Sequence, residues 1–103
     1  MTKPKALTRQ GILTALKQHQ DMLMKYKVRR LGLFGSYATG KQGRRSDIDF
    51  LVEFEEPTFD NFMELSFYLE KLFRKKIELI TPMGLSPFIK PHVQKEVRWH
   101  EVR

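Results

Sequence analysis

LFGSYATGKQGRRSDIDFLVEF, residues 33–54, joins two apolar runs through a polar stretch, and this arrangement decides the fold. The run at 28–34 is rich in β-forming residues and ends at Gly35, which predicts a first strand. The run at 48–54 is almost continuously apolar, which is typical of a central strand covered on both faces. Asp49 lies inside this second run, so the pattern predicts a carboxylate in the middle of a buried strand.

The segments on either side predict helices and one further strand. Apolar residues at helical spacing predict a basic helix over about 8–26, with Thr8 as its N-cap. A second helical stripe follows Asp60, the predicted N-cap, and runs to about residue 73. The short apolar run at 77–80 predicts a third strand.

The C-terminal part of the chain is less regular. Ser86 and Pro87 are typical of a helix start, and Pro91 predicts a kink or a restart before residues 93–97. The tail at 98–103 receives no assignment. The resulting order, α-β-β-α-β-α, predicts a single α+β domain of all 103 residues, in which helices pack on a small mixed β-sheet.

The composition limits the classes of function. A chain of 103 residues with 41% hydrophobic and 30% charged side chains builds one folded core. It has no cysteine, which excludes disulfides, thiolate-bound metal centres and cysteine nucleophiles. No window approaches the roughly 18 apolar residues of a membrane span, and no signal-peptide core is present, so we expect a cytoplasmic protein with no membrane partner.

The net charge of +7 is concentrated at one end of the chain. Residues 1–30 carry eight basic side chains and one acidic side chain, whereas residues 31–103 are neutral overall. A solvated basic helix face explains this excess, and an acidic partner or a nucleic acid is the alternative. Nucleic acid is not expected as the main partner, because the sequence has neither a stacked-aromatic RNA motif nor zinc-finger spacing.

Asp47 and Asp49 form the pair that carries chemistry. Side chains two residues apart in a strand point to the same face, about 6 to 7 Å from each other. Two carboxylates so close repel each other unless a cation compensates their charge. Hard oxygen ligands favour Mg²⁺ or Mn²⁺, and paired ions of this kind serve displacement at phosphorus. Glu78, on the predicted third strand, would complete the carboxylate set.

Gly35 and Ser36 supply the complementary half of the site. A glycine after a strand lets the backbone approach a ligand, and a serine that opens a helical turn directs its N–H and hydroxyl groups at a phosphate. We therefore expect a nucleotide triphosphate between this turn and the metals. Arg45 and Ser46 are further candidate nucleotide ligands, although a solvated loop is the alternative for Arg45.

Gly35 and Ser36, a spacer of ten residues, and then Asp47 and Asp49 reproduce a known signature. On these residues the chain resembles the minimal nucleotidyltransferases of the DNA polymerase β superfamily. The resemblance implies a palm-like fold. It also implies that Asp47, Asp49 and Glu78 are catalytic and bind metal. The family usually has Asp at the third acidic position, so the longer Glu78 is a departure, and a shift of an ångström at a metal can cost a large rate factor.

The resemblance also implies a function. Members of this group typically pair with a HEPN-domain RNase toxin as its antitoxin, and they transfer AMP from ATP to a tyrosine of the toxin. Mg²⁺ as cofactor, ATP as substrate and a HEPN-domain protein as partner are therefore expected. The alternative is a non-catalytic antitoxin that neutralises its partner by contact, and both a homo-oligomer and a hetero-oligomer with the toxin stay open.

Two further features receive ordinary interpretations. Tyr37, after the Gly-Ser pair, either stacks on a base or fills space beside the site. His92, Glu96 and His100 are spaced four residues apart, a pattern that binds metals on an unbroken helix, but we interpret them as surface residues.

Overall fold

The structure, a computed structural model, describes residues 7–103. Two lysines of the basic segment, Lys3 and Lys5, lie outside the described residues. The elements in chain order are α1 Arg9–Gln18, α2 Gln20–Lys25, β1 Val28–Phe34, α3 Ser36–Thr39, β2 Ile48–Phe54, α4 Phe59–Phe73, β3 Ile77–Ile80, a 3₁₀ turn Pro82–Gly84, α5 Lys90–Glu96 and β4 Arg98–Glu101.

Four strands form one mixed sheet in the order β3-β2-β1-β4. β1 pairs antiparallel with both β2 and β4, and β2 pairs parallel with β3. The predicted α+β class with a small mixed sheet is confirmed, and the three predicted strands have the predicted limits.

The two faces of the sheet are covered differently. Alternate residues of β2, namely Ile48, Phe50 and Val52, are fully buried in the main core under α1, α2 and α4. The other alternate set, Asp49, Leu51 and Glu53, faces the side that α5 covers. A second, smaller cluster lies there and is formed by Phe34, Leu51, Leu85 and Val93.

The predicted first helix is two helices. α1 is capped by Thr8, whose side-chain oxygen accepts a hydrogen bond from the Gly11 N–H at 3.0 Å, as predicted. It ends at His19, where the backbone leaves helical geometry and the N–H is shared between the carbonyls of Ala15 and Leu16. The His19 ring is hydrogen-bonded to the Tyr68 hydroxyl on α4, so a contact distant in sequence accompanies this break.

Two other predicted boundaries are wrong. Thr58, not Asp60, is the N-cap of α4, because its hydroxyl accepts from the Asn61 N–H at 3.1 Å. The helix start predicted at Ser86 is wrong, because α5 begins at Lys90. Pro91 marks a helix start and not a kink, which agrees with the restart predicted before residues 93–97. It lies in the first turn of α5, where its missing N–H has no helical partner to lose.

The tail that received no assignment forms β4 and completes the sheet. Trp99 of β4 packs over Gly32 of β1, where a Cβ would lie 2.9 Å from Trp99 Cε3 and 2.5 Å from Val97 Cγ2. Only glycine therefore allows the chain after α5 to pack so closely on the sheet. None of the helices within residues 7–103 combines the length and the apolar character needed to cross a membrane. The cytoplasmic location stays a prediction.

Candidate active site

Asp49 stands at the centre of the candidate site, near the end of the sheet where β1 enters the Gly35 turn. The strand register places Phe34, which precedes this turn, opposite Asp49 on one side. On the other side it places Glu78 of β3 opposite Asp49. Paired residues of neighbouring strands project to the same face, so the Asp49 and Glu78 side chains share the face that α5 covers.

The turn at Gly35 requires glycine for two reasons. Its φ of 74° lies in the left-handed region, which side chains of L-residues disfavour. A Cβ at this position would also collide with the Asp49 carboxylate. The backbone of the turn is thereby held directly against Asp49, and α3 begins at the next residue, Ser36.

The second residue of the pair, Ser36, is half-buried at the start of α3. The carbonyl of Gly35 accepts from the N–H groups of Ala38 and Thr39, which closes the short helix. Tyr37 is buried in the main core, so it anchors the turn and is not exposed for stacking on a base. The turn is therefore fixed to the core on one side and to Asp49 on the other.

Glu96 is a site residue that the sequence interpretation missed. The Gly35 N–H donates a hydrogen bond to Glu96 Oε1 at 3.1 Å, across 61 positions of sequence. The i, i+4 pattern of His92 and Glu96 marked this residue, but as a surface position. His100, the third member of that pattern, lies on β4 and is hydrogen-bonded to Gln20, so the three residues do not form one helix face.

The electrostatics at Asp49 are those of a crowded acidic site. The pKa of Asp49 is raised from 3.8 to about 6, and burial is the largest cause. The negative charges of Glu78, Asp47 and Glu96 contribute to this rise in the same direction. A divalent cation would relieve both effects, and carboxylate oxygens are the ligands that Mg²⁺ and Mn²⁺ prefer. The donor set at this position therefore fits a hard cation.

The remaining predicted residues are less tightly assembled. Asp47 and Glu78 are exposed, and within residues 7–103 no three His, Asp or Glu side chains already form a metal-binding group. Arg45 is exposed in the loop between α3 and β2. The Ser46 hydroxyl closes this loop by accepting from the Gly43 N–H at 2.9 Å. The site therefore consists of a buried centre at Asp49 and Gly35 with a solvated rim.

The hollows elsewhere on the molecule do not contain these carboxylates. One of about 160 Å³ lies further along the same sheet face, between Leu51, Trp99 and α5. The Arg30 guanidinium lies 3.8 Å from the centre of the Trp99 ring and donates to Glu53 at 2.7 Å, so these groups are already engaged with one another.

A mixed sheet that brings a Gly-Ser turn against a strand carboxylate is the arrangement expected from the resemblance to nucleotidyltransferases. The chain belongs to this family, because the model of the nucleotidyltransferase domain matches residues 11–100.

Named proteins of this family resemble the chain over most of their length. "Putative protein adenylyltransferase MJ1379" of Methanocaldococcus jannaschii is 42% identical over 87 residues, which cover 80% of this chain and 87% of that protein. "Protein adenylyltransferase MntA" of Thermococcus cleftensis is 39% identical over 89 residues, which cover 85% and 88% of the two chains.

Solved structures share the fold. One described as a "putative minimal nucleotidyltransferase" is 25% identical, with a TM-score of 0.76 over 92% of this chain and 98% of that chain. A toxin-antitoxin complex with AMP-PNP reaches a TM-score of 0.62 at 23% identity, over 94% and 73%. A tri-AMPylated Shewanella oneidensis HEPN toxin in complex with its MNT antitoxin reaches 0.53 at 18% identity, over 84% and 71%.

Proposed function

We propose that this protein is a Mg²⁺-dependent protein adenylyltransferase that transfers AMP from ATP to a tyrosine of a HEPN-domain toxin and thereby acts as its antitoxin. The observation that carries the proposal is the contact between the Gly35 turn and the Asp49 carboxylate, with Glu78 opposite on the neighbouring strand. The names of the relatives support protein adenylylation, and the toxin-antitoxin complexes that share the fold support the choice of partner.

The metal would be held by Asp47, Asp49 and Glu78. When bound, Mg²⁺ neutralises charge on the phosphate oxygens and on the pyrophosphate leaving group. The raised pKa of Asp49 supports this assignment, because a carboxylate crowded by other carboxylates gains most from a cation. Asp47 and Glu78 are exposed, which leaves them free to adjust around the substrate.

The backbone and hydroxyl of Ser36, beside the Gly35 turn, would hold the triphosphate, and Arg45 would approach it from the solvated rim. Both groups are donors, and a phosphate is an acceptor. Ser46, whose hydroxyl accepts from the Gly43 N–H next to Asp47, would add a further donor to the phosphates from the same loop.

The transfer step forms one bond and breaks another. The phenolic oxygen of the acceptor tyrosine attacks the α-phosphorus, and the bond from that phosphorus to the bridging oxygen breaks, which releases pyrophosphate. The phenolic proton passes to a base, and Glu78 is the proposed acceptor because it lies opposite Asp49 and is exposed to an incoming protein. The products are AMP-tyrosine and pyrophosphate.

The test uses the purified protein, a HEPN-domain protein encoded beside it, Mg²⁺ and ATP labelled at the α-phosphate. We expect label on a tyrosine of the HEPN-domain protein, and none when the label is on the γ-phosphate. Asp47→Asn and Asp49→Asn should each reduce transfer at least about 1000-fold, because each removes a metal-ligand charge. Asp60→Asn, the same change at an exposed carboxylate of α4, is the matched control and should transfer normally.

An RNase assay with the same variants distinguishes this proposal from the non-catalytic alternative. If the parent protein and Asp49→Asn neutralise the RNase equally well without ATP, neutralisation is by contact and the adenylyltransferase proposal is wrong.

The departure at position 78 is tested by Glu78→Asp, which restores the acid usual in the family and should keep measurable transfer, whereas Glu78→Gln should not.

A further inference from the structure

The carboxylate of Glu96, on α5, reaches the Gly35 turn. Its Oε1 accepts from the Gly35 N–H at 3.1 Å, and the side chain is half-buried. The closing hydrogen bonds of α3 use the Gly35 carbonyl. The N–H and the carbonyl of Gly35 are therefore both hydrogen-bonded.

The position of Glu96 is itself fixed by packing. Val93, three residues earlier, is 3% exposed and packs with Phe34, the residue that precedes Gly35. Val97, the next residue, lies so close to β1 that a Cβ on Gly32 would be 2.5 Å from its Cγ2. α5 therefore packs against the sheet on both sides of Glu96, and this packing fixes the position of the carboxylate.

We propose that Glu96 is a positioning residue, which accepts the Gly35 N–H and thereby holds the Gly35–Ser36 turn at the distance from Asp49 that a nucleotide triphosphate requires. The proposal rests on the proposed function for the identity of the nucleotide, but the contact that carries it is independent of that function. Glu96 touches neither the acceptor nor the α-phosphate in this role.

A turn with a positive φ needs such support. The Gly35 backbone is in close contact with the Asp49 carboxylate, and glycine offers no side chain that would lock its own conformation. Loss of the acceptor leaves the Gly35 N–H without its partner and frees the turn to rotate. The Ser36 donors would then no longer be aimed at the triphosphate.

The first test measures hydrogen exchange of the Gly35 amide by NMR in the full chain without nucleotide. Glu96→Ala removes the acceptor, and we expect exchange of the Gly35 amide to accelerate at least about tenfold. Glu96→Gln keeps an oxygen acceptor without the charge, and exchange should stay within about threefold of the parent. Lys95→Ala, an exposed neighbour on α5, is the matched control and should leave the Gly35 amide unchanged.

The second test measures steady-state AMP transfer. Glu96→Ala should raise the apparent KM for ATP at least about fivefold, with the KM for the acceptor within about twofold, because the turn holds the triphosphate and not the acceptor. Glu96→Gln should recover most of this loss. Normal exchange and normal KM for ATP in Glu96→Ala would overturn the proposal.

Equal damage in Glu96→Gln and Glu96→Ala would also overturn the proposal, because the charge and not the hydrogen bond would then be what acts. The two tests separate this proposal from the proposed function. If the parent protein transfers no AMP, the adenylyltransferase proposal fails, while the exchange of the Gly35 amide still decides the role of Glu96.

Discussion

The two faces of β2 differ in what their side chains do. Ile48, Phe50 and Val52 point into the main core and are fully buried. Asp49 and Glu53, from the same strand, face the side under α5, with only Leu51 between them buried. One face is therefore filled by packing, whereas the other places a crowded carboxylate beside a backbone turn.

Stability and chemistry therefore depend on different residues of the same strand. Folding needs the apolar face, because burial of apolar surface is the main favourable contribution to stability. The opposite face carries an acidic group whose pKa is raised by burial, so its charged form opposes folding. The fold tolerates this unfavourable group because the larger core, on the other face of the sheet, stabilises the domain.

The largest expected effect comes from the apolar face. Phe50→Ala should lower the free energy of unfolding by about 3 to 5 kcal/mol, since it removes a fully buried ring from the main core. Leu51→Ala, in the smaller cluster under α5, should cost about 2 to 3 kcal/mol. Urea unfolding followed by circular dichroism measures both, and an equal or larger loss for Leu51→Ala would contradict the distinction between the faces.

Substitutions at two glycines with positive φ, Gly35 and Gly40, distinguish the effect of backbone strain from the effect of contact with Asp49. Gly40→Ala should lower the free energy of unfolding by about 1 to 2 kcal/mol through backbone strain alone, and Gly35→Ala should lower it by more, because strain and the collision with Asp49 add. Only Gly35→Ala should also reduce AMP transfer at least about 100-fold, because its Cβ would collide with the Asp49 carboxylate, whereas a Cβ at Gly40 meets no atom within 4 Å. Similar activity in the two variants would show that the contact with Asp49 has no part in the site.

Gly32 tests how closely α5 and β4 must approach the functional face. Gly32→Ala should lower the free energy of unfolding by about 1 to 3 kcal/mol, because its Cβ would lie 2.5 Å from Val97 Cγ2. Gly43→Ala is the control, since its nearest neighbour would be Ser46 Oγ at 4.0 Å. Thermal melts of the two variants measure the difference, and an unchanged melting temperature for Gly32→Ala would mean that α5 is free to move away.

The smallest effect is the dependence of stability on pH. The pKa of Asp49 in the folded protein is raised from 3.8 to about 6, so the folded state binds its proton more tightly than the unfolded chain does. The stability that this group contributes is fully present below about pH 4 and is lost as the pH rises through about 6. In metal-free buffer Asp49→Asn should therefore be more stable than the parent above pH 6, by about 1 kcal/mol after solvent screening at this half-exposed group.

The measurement is urea unfolding in EDTA at pH 4 and pH 8. The advantage of Asp49→Asn should disappear at pH 4, whereas Glu56→Gln, at an exposed carboxylate, should differ little from the parent at either pH. An advantage of Asp49→Asn that is the same at both pH values would contradict the shifted pKa.

Local patterns predicted the three strands to the residue. In each strand the apolar run ends close to glycine, proline or charged residues, so nearby residues indicate the boundary. The helix limits were predicted less well, because two nearby polar residues compete for a cap. Thr58 has the extended backbone that lets its hydroxyl reach the Asn61 N–H, and it caps α4 in place of Asp60.

The signature formed by Gly35, Ser36, Asp47 and Asp49 was enough to indicate the class of chemistry, because it resembles that of the minimal nucleotidyltransferases. β4 and Glu96 could not be found in this manner. β4 pairs with β1 where Gly32 leaves room for Trp99, and Glu96 reaches Gly35 across 61 positions through the packing of α5. Contacts between distant segments depend on the shape of the whole sheet, which no local pattern of residues encodes.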